Sequence, residues 1–414
     1  MKKIMIFTVT SGEGHNSMAK ALYQKLSANP NNFVKLVDMF KSYGSKGKFK
    51  LIDGGYRLAC RYLPRTYNRV YRRLERLDPE KRERSAIHSN LAKETPRLLK
   101  DIYAEKPDVI IATHSFPATV ITNLRKAFPI PATVVSVLFD FTVHPFWETA
   151  VGIDYLITPC RELDGTLIAK GFRQRQLKDF GQPVKEAFSE SLSKLEARGK
   201  LGLRADMFTV LVMRGGGKFG GIGKLLRSLL ESRVPLQILL VHGKDKKGAA
   251  EAESIVRRYP NSAHTVVNYG FIDFVAAAMS AADCLVGKCG GVSVNEALNK
   301  RLPMLIDERL AEQERHNMQY LCSHGAAVQF SPSLTPSDAV EELARSPERL
   351  VELLKGIDGI RKPNALTDLC AFSESLENAD YSAAPDISRM SNLQISIGIK
   401  RARRRMAKEA DATV

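Results

Sequence analysis

No stretch of this chain approaches the roughly 20 consecutive apolar residues of a membrane-spanning helix. Lys2-Lys3 does precede an apolar run, as in a secretory signal. That run is only about six residues, short for the apolar region of a signal, and it ends in Gly-Glu-Gly-His rather than a cleavage site. Asp-x-Asp, the carboxylate pair with which many transferases hold a divalent metal, occurs nowhere. The 6 cysteines (60, 160, 284, 289, 322, 370) include no Cys-x-x-Cys, so neither a zinc site nor a disulfide framework is expected, and a reducing cytosol suits them. Tryptophan occurs once, as Trp147. Acidic residues are in short supply: 45 Asp and Glu face 62 Lys and Arg, a net charge of +17. Such an excess calls for an anionic partner, either nucleic acid or an anionic membrane surface.

The excess is uneven. Eleven basic residues lie between Lys41 and Arg76, opposed only by Asp53 and Glu75, and a second cluster runs Lys400-Arg401-Ala402-Arg403-Arg404-Arg405. Tyrosines and Phe49 interleave the first region. Cations with aromatics suit an interfacial helix on anionic lipid or a nucleic-acid surface. A merely solvated helix does not fit, because acidic partners for ion pairing along it are nearly absent.

At 414 residues the chain exceeds one core, and two or three domains are expected. Strand-like runs at 4–9, 33–37, 109–112, 133–138 and 155–157 alternate with helical stretches at 16–27, 86–105, 117–127 and 161–171. Gly181-Gln182-Pro183-Val184 breaks the alternation, and a polar, helical-looking stretch follows. It resumes with strands at 208–213, 236–241, 265–267, 284–286 and 304–306, and helices at 219–231, 248–258, 272–281, 292–299 and 312–323. The expected class is α/β with parallel sheets. The domains read as 1–180, a linker 181–205, a second domain 206–378 and a flexible basic tail 379–414.

Each half opens on a strand, glycines and a helix. In the first, Ser11-Gly12-Glu13-Gly14-His15-Asn16 follows the strand; in the second, Gly215-Gly216-Gly217 follows it. The sharpest such unit is Val286-Gly287-Lys288-Cys289-Gly290-Gly291. Glycine admits close backbone approach, and a helix start offers free N–H groups and a positive dipole end. That is an anion site suited to a diphosphate, though paired glycines also make an ordinary turn. Lys288 or Arg214 can add positive charge. These units suggest two facing αβ domains around a nucleotide-linked substrate.

The run from Lys288 to Ala297, then Leu302-Pro303, then Glu312-Gln313-Glu314-Arg315-His316-Asn317 resembles the donor site of a glycosyltransferase family. That family holds the monogalactosyldiacylglycerol synthases and the processive diacylglycerol glucosyltransferases, relatives of the peptidoglycan N-acetylglucosaminyltransferase. Ser11 to Asn16 resembles its N-terminal glycine loop, and Asp140-Phe141-Thr142-Val143-His144-Pro145-Phe146-Trp147 its Asp-x-x-x-His-Pro-x-Trp segment. The likeness extends from residue 1 to about 378. Cys289 departs from the family's usual proline and Ala311 from its usual glycine.

The resemblance implies a GT-B-type fold of two facing Rossmann-like domains. The N-terminal one would bind acceptor and membrane and the C-terminal one a UDP-sugar. It implies transfer of a hexose, mostly glucose in bacterial relatives, to diacylglycerol with inversion to a β-glycoside, and possible further additions. The enzyme would lie peripherally on the cytoplasmic face of the membrane, with no cofactor and no nucleic acid. Glu296 would bind the ribose hydroxyls, Gln313 and Asn317 the donor sugar, and Phe271 and Ile272 the uracil. His15 is the family's proposed base, a role histidine fits by its pKa. Asp140, at the end of an apolar strand, is the rival base or an orienting group. Each has a plain structural alternative: a solvated Glu296, a polar helix face for Gln313 and Asn317, core packing for Phe271 and Ile272, and a loop-capping His15. Trp147 either lines an acyl-chain entrance or fills core. The competing functions are a peptidoglycan-precursor glycosyltransferase, a UDP-sugar epimerase, which has no use for a basic aromatic region, and a basic nucleic-acid-binding protein, for which no known module is present.

Overall fold

The computed structural model describes residues 1–10, 13–43, 95–213, 222–260, 263–307 and 311–411. Gly12, Arg214, Gly215 and Gly216, and all of the basic region beyond Tyr43, lie outside the described residues. The chain forms two compact units: Met1–Phe139 with Val143–Lys185 and Asn364–Val414, and Asp140–Thr142 with Glu186–Pro363.

The first unit holds a six-stranded sheet of β1 (Lys2–Thr8), β2 (Asn32–Asp38), β3 (Val109–Ala112), β4 (Thr133–Val137), β5 (Tyr155–Ile157) and β6 (Leu177–Lys178). Its order is β2-β1-β3-β4-β5-β6, every pair parallel. Parallel strands are covered on both faces, so they read as unbroken apolar runs. In β1 the side-chain period of two divides Lys3-Ile4-Met5-Ile6-Phe7 between two cores. Ile4 and Ile6 pack with Met18, Leu22 and Leu26 of the helix Glu13–Ser27 and with Leu366 and Leu369 of the helix Ala365–Ser375. Met5 and Phe7 pack with Leu98, Leu99 and Ile102 of Thr95–Glu105 and Ile121 and Leu124 of Ser115–Arg125.

The second unit repeats the plan with β7 (Phe208–Met213), β8 (Leu236–Val241), β9 (Thr265–Tyr269), β10 (Cys284–Gly287), β11 (Met304–Ile306) and β12 (Ala327–Gln329). The order β12-β11-β10-β7-β8-β9 is again wholly parallel. Strand order reverses between β1 and β3 in the first sheet and between β7 and β10 in the second. Open α/β sheets bind ligands at the carboxyl ends of strands at such points. Gly287 is fixed by packing there: a Cβ would stand 2.3 Å from the carbonyl oxygen of Met213 on β7.

Four expectations need correcting. The segment 379–414 is not an unpatterned tail. It carries the helix Asn392–Asp411, which buries Ile395 and Ile399 in the first unit's core. The second domain does not run to 378, because the chain returns to the first unit at Asn364. The linker is largely folded: the helix Lys194–Lys200 belongs to the second unit, where Arg198 is buried, donating to the Ala281 carbonyl at 3.0 Å and pairing with Asp283 at 2.6 Å. The helix expected at 161–171 is a 3-10 turn, Arg161–Leu163, followed by Asp164–Ala169.

Candidate active site

In the first unit, side chains gather at the carboxyl ends of β1, β3 and β4. Gly14 and His15 open the helix after β1, and Thr8 Oγ1 fixes that opening by donating to Asn16 Oδ1 at 3.0 Å. His15 is half-buried, with Nδ1 2.6 Å from the carbonyl oxygen of Thr113, just past β3. A carbonyl only accepts, so Nδ1 carries the proton. Burial pushes the imidazole pKa down to about 4, the Thr113 bond opposing in part. The ring is therefore neutral at physiological pH, and Nε2 holds a free lone pair. The Phe139 ring, past β4, lies 4.6 Å from it.

Sequence reasoning missed the neighbour on the other side. His114 stands 4.5 Å from His15, edge to face. Its Nδ1 accepts from Phe116 N at 2.9 Å and caps the helix Ser115–Arg125. Burial, then His15 and His144, hold its pKa well below the ordinary histidine value. Its place at the end of the apolar strand β3 was the signal that could have found it, the one that singled out Asp140. His144 likewise caps the 3-10 turn Pro145–Ala150 through Phe146 N at 3.3 Å. That turn carries Trp147 into the core, where it is only 4% exposed. Among the described residues Trp147 packs as part of the core.

In the second unit β10 leads through Lys288 and Cys289 into the helix Gly291–Asn299, with Gly290 at its N-cap. The first helical bond runs from Val294 N to Gly290 O at 3.0 Å. The amides of Gly291, Val292 and Ser293 precede it and have no partner within the helix. Among the described residues, and apart from its chain neighbours, a Cβ on Gly290 would meet nothing within 4 Å, so a ligand can reach this backbone. Lys288 is half-buried beside the loop, and Glu296 is buried on the helix at 8% exposure. Beyond β9, Phe271 is 72% exposed while Ile272 is buried. An exposed ring of that size at a sheet's carboxyl edge suits a stacking partner. Ile272 is core.

Gln313 and Asn317 share the helix Glu312–Ser323 but differ in setting. Gln313 is half-buried. Asn317 is fully buried. Its Nδ2 donates to Asp140 Oδ1 and to the Cys289 carbonyl, both at 2.9 Å, and its Oδ1 accepts from Phe141 N at 2.8 Å. Three protein partners leave it a positioning residue for the glycine loop and the Asp140 segment rather than a sugar contact. Tyr320, one turn on, stacks on Phe141 at 4.3 Å. Burial raises the Asp140 pKa; the Asn317 bond opposes this and Glu314 adds to it.

The family model of monogalactosyldiacylglycerol (MGDG) synthase matches residues 15–184. A processive diacylglycerol beta-glucosyltransferase of Bacillus licheniformis is 26% identical over 394 residues, covering 91% of this chain and 97% of that protein. A probable chloroplastic monogalactosyldiacylglycerol synthase of Glycine max is 27% identical over 358 residues, 83% of this chain and 64% of the plant protein. Acinetobacter baumannii MurG gives a TM-score of 0.58 at 13% identity, covering 90% of this chain and 99% of that one. Os79 of O. sativa, solved with UDP, gives 0.58 at 13% identity over 90% of this chain and 100% of that one. At such identities the likeness is one of fold, and the fold is GT-B-type, as the motifs implied. Relatives matched over 83–91% of the chain and a family model over the segment that carries His15 and Asp140 point the same way: the chain is similar to the MGDG synthases and processive diacylglycerol beta-glucosyltransferases.

Proposed function

We propose that this protein transfers a hexose from a UDP-sugar to the free hydroxyl of diacylglycerol, inverting the donor linkage to give a β-glycoside. The reading rests on the His15 tautomer, fixed by the 2.6 Å contact of Nδ1 with the Thr113 carbonyl. Nε2 removes the proton of the acceptor hydroxyl. The hydroxyl oxygen attacks the anomeric carbon from the face opposite the nucleotide, and the bond to the diphosphate breaks with its electron pair on the leaving oxygen. The amides at Gly291 to Ser293 and the helix dipole stabilise the charge that develops there. Glu296 supports the ribose, Lys288 adds positive charge, and Phe271 offers its ring to the base. Asp140 keeps its place beside the glycine loop through Asn317.

Among the described residues no helix is long and apolar enough to cross a membrane. The acceptor is a bilayer lipid, so the enzyme works peripherally, on the face where UDP-sugars are made. Purified protein incubated with diacylglycerol and, separately, UDP-glucose and UDP-galactose tests the reading, with lipid products identified by mass. A monohexosyl diacylglycerol is expected. His15→Ala is expected to slow transfer by about 10²- to 10⁴-fold with UDP affinity nearly unchanged. Lack of lipid product with every UDP-hexose, or near-normal turnover in His15→Ala with collapse in Asp140→Asn, contradicts the assignment.

A further inference from the structure

The helix Asn392–Asp411 has two faces that want different surroundings. One holds Ile395, Gly398 and Ile399. The two isoleucines are buried in the first unit's core beside the helix Thr95–Glu105, and Gly398 sits so close to Phe128 that a Cβ would come within 3.0 Å of its ring. That contact anchors the helix. At 100° per residue, Leu393 and Ile397 fall on the opposite side. Leu393 is 70% exposed and Ile397 39%. Lys400 and Arg401, one turn further, are exposed as well. From Asn392 to Lys408 the sequence holds six basic residues and no acidic one.

We infer that this outward face docks on an anionic lipid surface. Two large aliphatic side chains displayed one turn apart are poor company for water, and solvated helices do not need them. Cations following on the same side match anionic headgroups, while the aliphatic pair enters the boundary with the acyl chains. A nucleic-acid face would need cations but has no use for Leu393 and Ile397. The buried face holds the helix on the unit that carries His15, so docking would bring that unit to the bilayer. The inference deepens the proposed reading, in which the acceptor is a membrane lipid, and is tested apart from it.

Flotation with vesicles of phosphatidylglycerol and phosphatidylcholine, without diacylglycerol or UDP-sugar, reads docking alone. The full-length protein is compared with Leu393→Ser/Ile397→Ser and with Lys400→Glu/Arg401→Glu. All four side chains are exposed, so the fold is expected to persist, and emission from the buried Trp147 in the same unit checks it. Each pair should lower vesicle partition by roughly tenfold or more. For wild type, added salt and pure phosphatidylcholine vesicles should reproduce the loss seen in the basic pair. Transfer to a soluble short-chain diacylglycerol should stay at the wild-type rate in both variants; if wild type lacks that activity, the proposed reading fails while the flotation result stands. Undiminished flotation of both variants overturns the inference. So does unchanged flotation together with loss of RNA binding.

Discussion

Replacing Asn317 with alanine removes three hydrogen bonds at one buried point. The bond to the Asp140 carboxylate carries about 1.5–3 kcal/mol, and the bonds to Phe141 N and Cys289 O about 1 kcal/mol each. No water replaces the amide easily at a fully buried site, so the carboxylate and two backbone groups lose partners rather than exchange them. The second unit should lose about 3–5 kcal/mol of stability. Amide exchange in β10 and β7 reads this directly, because the Cys289 carbonyl lies just past β10. Trp147 emission serves as an internal control, since that residue is buried in the first unit. Asn317→Asp sharpens the test. It keeps the size but loses the donors and sets a carboxyl beside Asp140, which burial already disfavours as an anion. UDP binding should weaken in both variants as the glycine loop loosens. A cost below about 1 kcal/mol in Asn317→Ala, with turnover and UDP affinity unchanged, would refute the clamp.

Further consequences can be measured. His15 has its pKa lowered from 6.5 to about 4, so it stays neutral as the pH falls through the ordinary histidine range. The acidic limb of kcat/KM should therefore lie near pH 4, and the stability the neutral ring contributes should fade as the unfolded chain takes up its proton from about pH 6.5 downward; an acidic limb at 6.5 would contradict the assigned environment. Asp140 is shifted upward from 3.8, so its ionisation is harder in the folded state and costs stability as pH rises through and above 3.8. Asp140→Asn keeps an acceptor for Asn317 and should melt higher than wild type at pH 7, with the gap closing below pH 3.8; equal melting at neutral pH would count against it. Gly290→Val adds a side chain where, among the described residues and apart from its chain neighbours, nothing stands within 4 Å and where φ is −71°, so stability should fall only by the roughly 1 kcal/mol that a poorer N-cap costs while UDP binding weakens by about tenfold. Unweakened UDP binding would move the diphosphate away from this loop.

Much of the fold was legible because the sheets are parallel and covered on both faces. Such strands must be apolar throughout, so β1, β3, β7 and β10 announce themselves as short runs, and the glycines behind β1, β7 and β10 mark the loops. The motif around Lys288 to Asn317 carried the family resemblance for a similar reason: a backbone that must approach a ligand restricts its own residues locally. The C-terminal helix was not legible. Its buried stripe is only Ile395, Gly398 and Ile399 within a basic segment, and what makes that stripe a packing face is Phe128 and the helix Thr95–Glu105, remote in sequence. The short strands β6 and β12 have two and three residues, too few to show a period. Asn317 was recognised as important and given the wrong contact. Its partners Asp140 and Cys289 are 177 and 28 positions away, and a side chain's type records the bonds it can make without recording who supplies them. Trp147 posed the same problem, since a large ring serves a pocket or a core equally well until its neighbours are known. Local pattern fixes where chain polarity and backbone freedom are needed. Which groups meet in the buried space, and so which proton His15 carries and which partners Asn317 serves, depends on folding distant segments together.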